Sequence, residues 1–369
     1  MKNKLNERIK NFNITILISL FLLLSCGSGQ LQAGKDGEAA TGGSSLSAVL
    51  MEVVRSTENV FYSFMTLVSD VLGFTVTKDT TKNQVGEHFN KLGKKRGVAS
   101  AELEEVAKKA TLGVDKNDVS KNPIRVAVEA AKVTLSTLKE HLGSLKDIGD
   151  ANPIGEAASN KEGTSASIDG LNKALKALKE IVRAAKETGV PEPKAGTAAL
   201  NVTGTDNKEG AKILSISSAH KPAATDAGKA AAILSTVSGE EMLASIVVSE
   251  EGDEELKKAA DENTTAISFA KGGNGDFLGK AVTPKAAAVA GGIALRSLVN
   301  AGKLASGAAD KNSGGKEDVQ AVGIDAVNKL LGAVEDIIKK TVKNVLEKVK
   351  KEVDESREPK AAVSKLSQQ

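Results

Sequence analysis

Apolar residues recur at helical steps along most of the chain. Between residues 46 and 72 they fall at Leu46, Val49, Val53, Val60, Phe64, Val68 and Val71, which places one long stripe on a helix. Asn122-Pro123 opens a second helix, with asparagine placed to cap it and proline tolerated at its first position. Its face, Ile124, Val128, Ala131, Leu135, Leu138, Leu142 and Leu145, alternates steps of four and three. Leu171, Leu175, Leu178 and Val182 predict a third helix that ends near Gly189 and Pro191. The longest stripe runs through Val327, Leu331, Val334, Ile338, Val342, Val345, Val349 and Val353, with lysine and glutamate opposite. Such an amphipathic helix needs partners to bury its stripe. Shorter helical patterns occupy 82–95, 101–112, 226–237, 240–248, 254–270 and 285–306.

Turn chemistry separates these elements. Residues 189–229 are a long stretch of Gly, Ala, Thr, Asp and Lys broken by Pro191, Pro193 and Pro222, and 271–284 and 306–316 are shorter versions. Within the first, Ile213-Leu214-Ser215-Ile216 fits a brief helix or a brief strand. Residues 26–45 carry Gly, Ser and Ala without an apolar period and read as a flexible tether. The pattern predicts an all-α fold: an elongated helical bundle over 46–369, with long N- and C-terminal helices and a loop-rich distal region. Composition agrees. The chain has no Trp and one Tyr, so its core must be built from Ala, Val, Leu and Ile, and the small residues suit helices better than strands.

The first 25 residues follow a different rule. Lys2, Lys4, Arg8 and Lys10 make a basic start, and an apolar run from Ile14 to Leu24 follows. That run is shorter than the roughly 20 residues of a spanning helix, and the whole reads as a secretory signal peptide. Leu23-Leu24-Ser25-Cys26 then puts a thiol after a small residue, ahead of Gly27-Ser28-Gly29. This is the arrangement of a lipobox, in which the Cys26 sulfur receives a diacylglycerol and the leader 1–25 is removed. Cys26 is the chain's one cysteine, so no internal disulfide can form, and acylation turns a liability into a membrane attachment. Two or more acyl chains hold stably where one holds only marginally.

Removing the leader changes the charge. The whole chain has 50 Lys and Arg against 47 Asp and Glu, and losing four bases and one acid leaves 46 of each. A balanced surface, with no stretch mixing basic and aromatic residues, gives no reason to expect a nucleic-acid partner.

Candidate catalytic chemistry is sparse. His88, His141 and His220 lie in separate segments without metal-ligand spacing, and each reads as a surface residue. Gly275 to Lys280 resembles a phosphate loop, yet Asn274 stands for its first glycine and Ala281 for the magnesium-binding hydroxyl. Asp115 to Ser120 begins like a calcium loop, but Val119 takes a ligand position and Ser120 the place of the turn glycine. Both read as turns, and no catalytic, cofactor-binding or metal residue is assigned. The helical stripes face the chain's own core or, where exposed, a host protein or a second copy.

Several blocks closely resemble the variable large proteins of relapsing-fever spirochaetes. They are the leader through Leu24-Ser25-Cys26-Gly27-Ser28-Gly29, Ala231-Ala232-Ile233-Leu234, and Val237-Ser238-Gly239-Glu240-Glu241-Met242-Leu243-Ala244-Ser245-Ile246-Val247. Ala288-Val289-Ala290-Gly291-Gly292-Ile293-Ala294-Leu295-Arg296-Ser297-Leu298-Val299 and the C-terminal run from Ala333 to Lys348 are similar too. The resemblance implies a surface-exposed outer-membrane lipoprotein, diacylglyceryl-modified and N-acylated at Cys26, that serves antigenic variation against host antibodies. It also implies a helical body with membrane-proximal termini and outward loops, for which 189–229, 271–284 and 306–316 are the candidates. The alternative is an adhesin for a host protein or glycan, and a homodimer is compatible with either.

Overall fold

The computed structural model describes residues 73–110, 122–202 and 204–355. The leader, Cys26, the tether, the 46–72 stripe and the 115–120 turn lie outside the described residues.

Nine α-helices order the described chain: α1 (Lys82–Ala110), α2 (Pro123–Ser144), α3 (Ile168–Glu187), α4 (Asp226–Ser235), α5 (Gly239–Val247), α6 (Ala266–Lys271), α7 (Gly275–Leu278), α8 (Ala286–Leu298) and α9 (Lys316–Glu355). Among the described residues, extended structure is confined to a hairpin of two-residue strands, β1 (Asn201–Val202) against β2 (Thr205–Asp206), and isolated bridges. The described fold is all-α.

Helix starts follow local chemistry. Thr81 and Gln84 close a reciprocal box at α1, the Gln84 side chain accepting the Thr81 amide at 2.8 Å and Thr81 Oγ1 the Gln84 amide at 3.3 Å. Asn122 accepts the Ile124 and Arg125 amides at the head of α2, with Pro123 in the first turn. Ser238 and Glu241 form the same kind of box at α5.

The long stripes become the core. Every apolar residue read from the α2 pattern is buried, and so are all those read for α3 and α9. Helix α1 packs on α2, and its Val85, Phe89, Leu92, Leu103 and Val106 are buried. The 40 residues of α9, about 60 Å long at 1.5 Å per residue, lie against α2, α3, α4, α5 and α8. Helix α8 is buried at all thirteen positions, as expected of a helix apolar on every side. It approaches α6 closely at Gly292, where a Cβ would stand 2.4 Å from Phe269 Cβ.

Four predicted spans change. The 82–95 and 101–112 patterns join into one helix, α1, across Gly97. The 254–270 pattern is helical only over Ala266–Lys271, because Leu256 leaves any helix face to bond through its amide to the Gly272 carbonyl at 2.8 Å. The 285–306 pattern ends as a helix at Leu298, after which the chain turns sharply.

Candidate functional site: the interlocked loop layer

The connections between helices are joined to one another through their backbones. Thr164 and Lys303 exchange amide–carbonyl bonds of 3.0 and 3.1 Å. The Gly163 amide donates to Ser215 O at 2.9 Å, and the Ala305 amide to Ile213 O at 2.7 Å. Three segments, 156–164, 213–216 and 303–306, are therefore bonded pairwise in a closed triangle. A fourth joins through Ile216, whose amide reaches Gly273 O at 3.0 Å, and a fifth through Leu256 and Gly272. Leu200, Ile213, Leu214 and Leu304 are fully buried beneath these seams. Backbone groups withdrawn from water need such partners.

The turn after α8 holds the layer to the helices. All six carbonyls from Val299 to Leu304 accept a hydrogen bond: Val299 and Gly302 from Lys82 Nζ at 3.0 and 2.6 Å, Asn300 from the Ser167 amide, Ala301 from Thr164 Oγ1 at 2.6 Å, Lys303 from the Thr164 amide and Leu304 from the Ala158 amide. Ala301 has a left-handed φ of 61°, and its amide donates to Asp150 Oδ2 at 2.9 Å. Burial holds the Lys82 ammonium below its ordinary pKa, against the opposing pull of Asp150 at 3.9 Å.

Arg296, on α8, is fully buried with no carboxylate against it. Nε donates to Ala270 O at 2.6 Å and Nη1 to Lys303 O at 3.5 Å. Burial alone pushes its guanidinium down to about 9. Gly272 lies over the fork with a φ of 85°, and a Cβ there would come within 2.3 Å of Nη2.

Outside the seams the chain turns to solvent, at 159–161, along the β1–β2 hairpin, at 218–219, through most of 250–263 and at 309–313. The expected loop 189–229 is thus split, with an exposed hairpin and a 3-10 turn, Lys208–Leu214, that buries Ala211, Ile213 and Leu214 and leads into buried Ser215. The exposed 159–161 and 250–263 segments were not among the sequence-predicted loops. Glu250-Glu251-Gly252-Asp253 carried the turn signal for the second.

The three histidines stay apart, each with its own acidic neighbour. His88 is buried and reaches Glu335 at 2.9 Å, contrary to the surface position expected for it. His141 is 3.9 Å from Glu180, and His220 Nδ1 is 2.8 Å from Asp276. Among the described residues no group of three or more His, Cys, Asp or Glu could hold a metal ion. Gly275, in the phosphate-loop-like run, is buried under His220 O, where a Cβ would come within 1.8 Å. Asn274 there caps α7 through the Asp276 amide at 2.9 Å. Among the described residues no single helix is long and apolar enough to cross a membrane.

The family model described as Borrelia lipoprotein matches residues 57–353, which takes in nearly all of the described body. Variable large protein 18 of Borrelia hermsii is 57% identical over 363 residues, 98% of this chain and 99% of that one. Variable large protein 7 of the same organism is 57% identical over the full length of both. The chain belongs to the variable large protein family of Borrelia lipoproteins. Its fold matches the crystal structure of the variable surface antigen VlsE of Borrelia burgdorferi with a TM-score of 0.69 at 24% identity, over 84% of this chain and 98% of that one. Against that family background the loop layer is the part of this Borrelia lipoprotein that combines buried backbone seams with exposed side chains. Seams made of backbone hydrogen bonds do not depend on the identity of the exposed residues between them.

Proposed function

We propose that this chain is a lipid-anchored, surface-exposed outer-membrane antigen that undergoes antigenic variation, and that its exposed loop segments are what host antibodies meet. Membership of the variable large protein family supports this reading, and one structural observation carries it: the loops are fixed by backbone bonds and buried aliphatic residues, which leaves their outer side chains free to change. Substitutions at exposed positions usually shift stability by about 0.5 kcal/mol or less. Loops tolerate replacement better than the elements they connect. The role is display, with no catalytic step.

The attachment proposed is Cys26, acylated after removal of 1–25, with 26–45 as a tether to the folded body. The helical domain then begins near residue 46. Protease treatment of intact cells tests the placement. Digestion of the protein while periplasmic markers survive is the expected result, and its survival beside those markers contradicts surface display.

A further inference from the structure

Arg296 is a large charged side chain placed in the most apolar helix of the described protein, without an acidic partner. Burying a guanidinium unpaired is unfavourable unless its hydrogen bonds do something a hydrocarbon cannot. What they do here is join two segments that share no backbone hydrogen bond with each other. Ala270 lies in the last turn of α6, which leads into the 272–273 seam, and Lys303 belongs to the 303–306 seam. The backbone already connects 303–306 to 213–216 and 213–216 to 272–273. Through Arg296 the path from 272–273 back to 303 closes, so a second ring of segments is completed beside the triangle of 156–164, 213–216 and 303–306. Lys82 ties the same turn to α1 through Val299 O and Gly302 O. A planar fork with separate donors can span two segments in this way, whereas a lysine ammonium acts as a single point.

We propose that Arg296 is a positioning residue, a cross-brace that makes the five loop segments 156–164, 213–216, 256, 270–273 and 299–306 one cooperative unit, opening together and separately from the helical bundle. For antigenic display, on which the consequence but not the brace itself depends, the surface is then a fixed frame on which exposed side chains change without the loops losing their relative positions. Arg296, Lys82 and Gly272 are the positions this frame holds constant.

Native-state hydrogen exchange on the mature protein lacking its leader tests this. In the wild type the amides of Ala158, Gly163, Ile216, Leu256, Gly272 and Ala305 should share one opening free energy and one denaturant dependence, lying below those of α2 and α9. Separate values for the five segments overturn the proposal, and so does a common value equal to that of the whole protein. In Arg296→Met, the Ala270 carbonyl loses its Arg296 donor, and Lys303 O is left with the Thr164 amide alone. Exchange should then rise on the order of ten- to a hundredfold in all five segments, including 156–164, which Arg296 does not touch, with α2 and α9 unchanged. Acceleration limited to residues flanking Ala270 and Lys303 overturns it. Arg296→Lys keeps the charge but not the span, and should fail to restore the common opening. Restoration by lysine would assign the effect to charge rather than to bracing. If Arg296→Met does not fold, the wild-type measurement decides alone. Because exchange reads the frame and not its exposure to antibodies, failure here leaves surface display standing, and failure of surface display leaves the brace standing.

Discussion

His88 Nε2 lies 2.9 Å from Glu335 Oε1, so an imidazole on α1 meets a carboxylate on α9 across 247 residues of sequence. The other carboxylate oxygen accepts the Gly73 amide at 3.0 Å, and Phe74 stacks on the imidazole with centroids 4.5 Å apart. Glu335 and His88 thus hold the Gly73-Phe74 segment against α1 and α9. Glu335→Ala removes the acceptor of two groups at once and should cost about 2–4 kcal/mol in urea unfolding. Glu335→Gln, which can still accept one bond, should cost less than half of that. Equal losses for the two would show that packing, and not the hydrogen bonds, is what the site supplies.

The ion pair between Lys132 on α2 and Glu104 on α1 gives a pH dependence. The hydrogen bond from Lys132 is the main reason the Glu104 carboxyl sits below its ordinary value of 4.5, and the same bond raises Lys132. A carboxyl with a lowered folded pKa adds stability above its unfolded value and loses it as pH falls through the folded one. Both side chains are more than a quarter exposed, so the contribution is about 0.5–1 kcal/mol. Lys132→Met should lower stability by that amount at pH 7, and the difference from wild type should shrink as pH falls below 4.5 and Glu104 becomes protonated. A difference that stays constant through the acid range would show it does not come from this pair.

Helix α2 sets the contrast between frame and surface. Leu138 is fully buried, whereas Val133 is 66% exposed on the opposite face. Leu138→Ala should cost about 2–5 kcal/mol through lost burial and a residual cavity. Val133→Ala should stay within about 0.5 kcal/mol. Comparable losses at the two sites, measured by thermal unfolding, would contradict the packing described.

The helices were legible because their apolar steps are long and regular. Val128, Leu135 and Leu142 on α2 are fully buried, as their spacing required. Leu256 misled because an isolated apolar residue between Glu254-Glu255 and Lys257-Lys258 can complete a helical pattern or enter a backbone seam, and only the position of Gly272 decides between them. Reading 189–229 as one loop failed for the same reason, since its seam bonds at Ser215 connect residues more than fifty positions apart. His88 and Arg296 were missed although each left a signal. His88 falls three residues after Val85 on the buried face of α1. Arg296 is the one charge in a thirteen-residue helix with no polar face, a position that calls for a buried hydrogen-bond role.

Cys26→Ala tests the proposed attachment. The variant should fold as wild type, incorporate no labelled palmitate, and appear in the soluble fraction of cells. Membrane retention of an unacylated variant would show that another part of the chain binds lipid.

Epitope mapping of antibodies that bind living cells bears most directly on the central claim. With exchange protection or alanine substitution as the readout, the account predicts footprints on 159–161, the β1–β2 hairpin, 250–263 and 309–313. It predicts further that replacing those exposed residues abolishes binding while the unfolding midpoint stays the same. Footprints concentrated on the outer faces of α2 and α9, with binding untouched by the loop replacements, would contradict it.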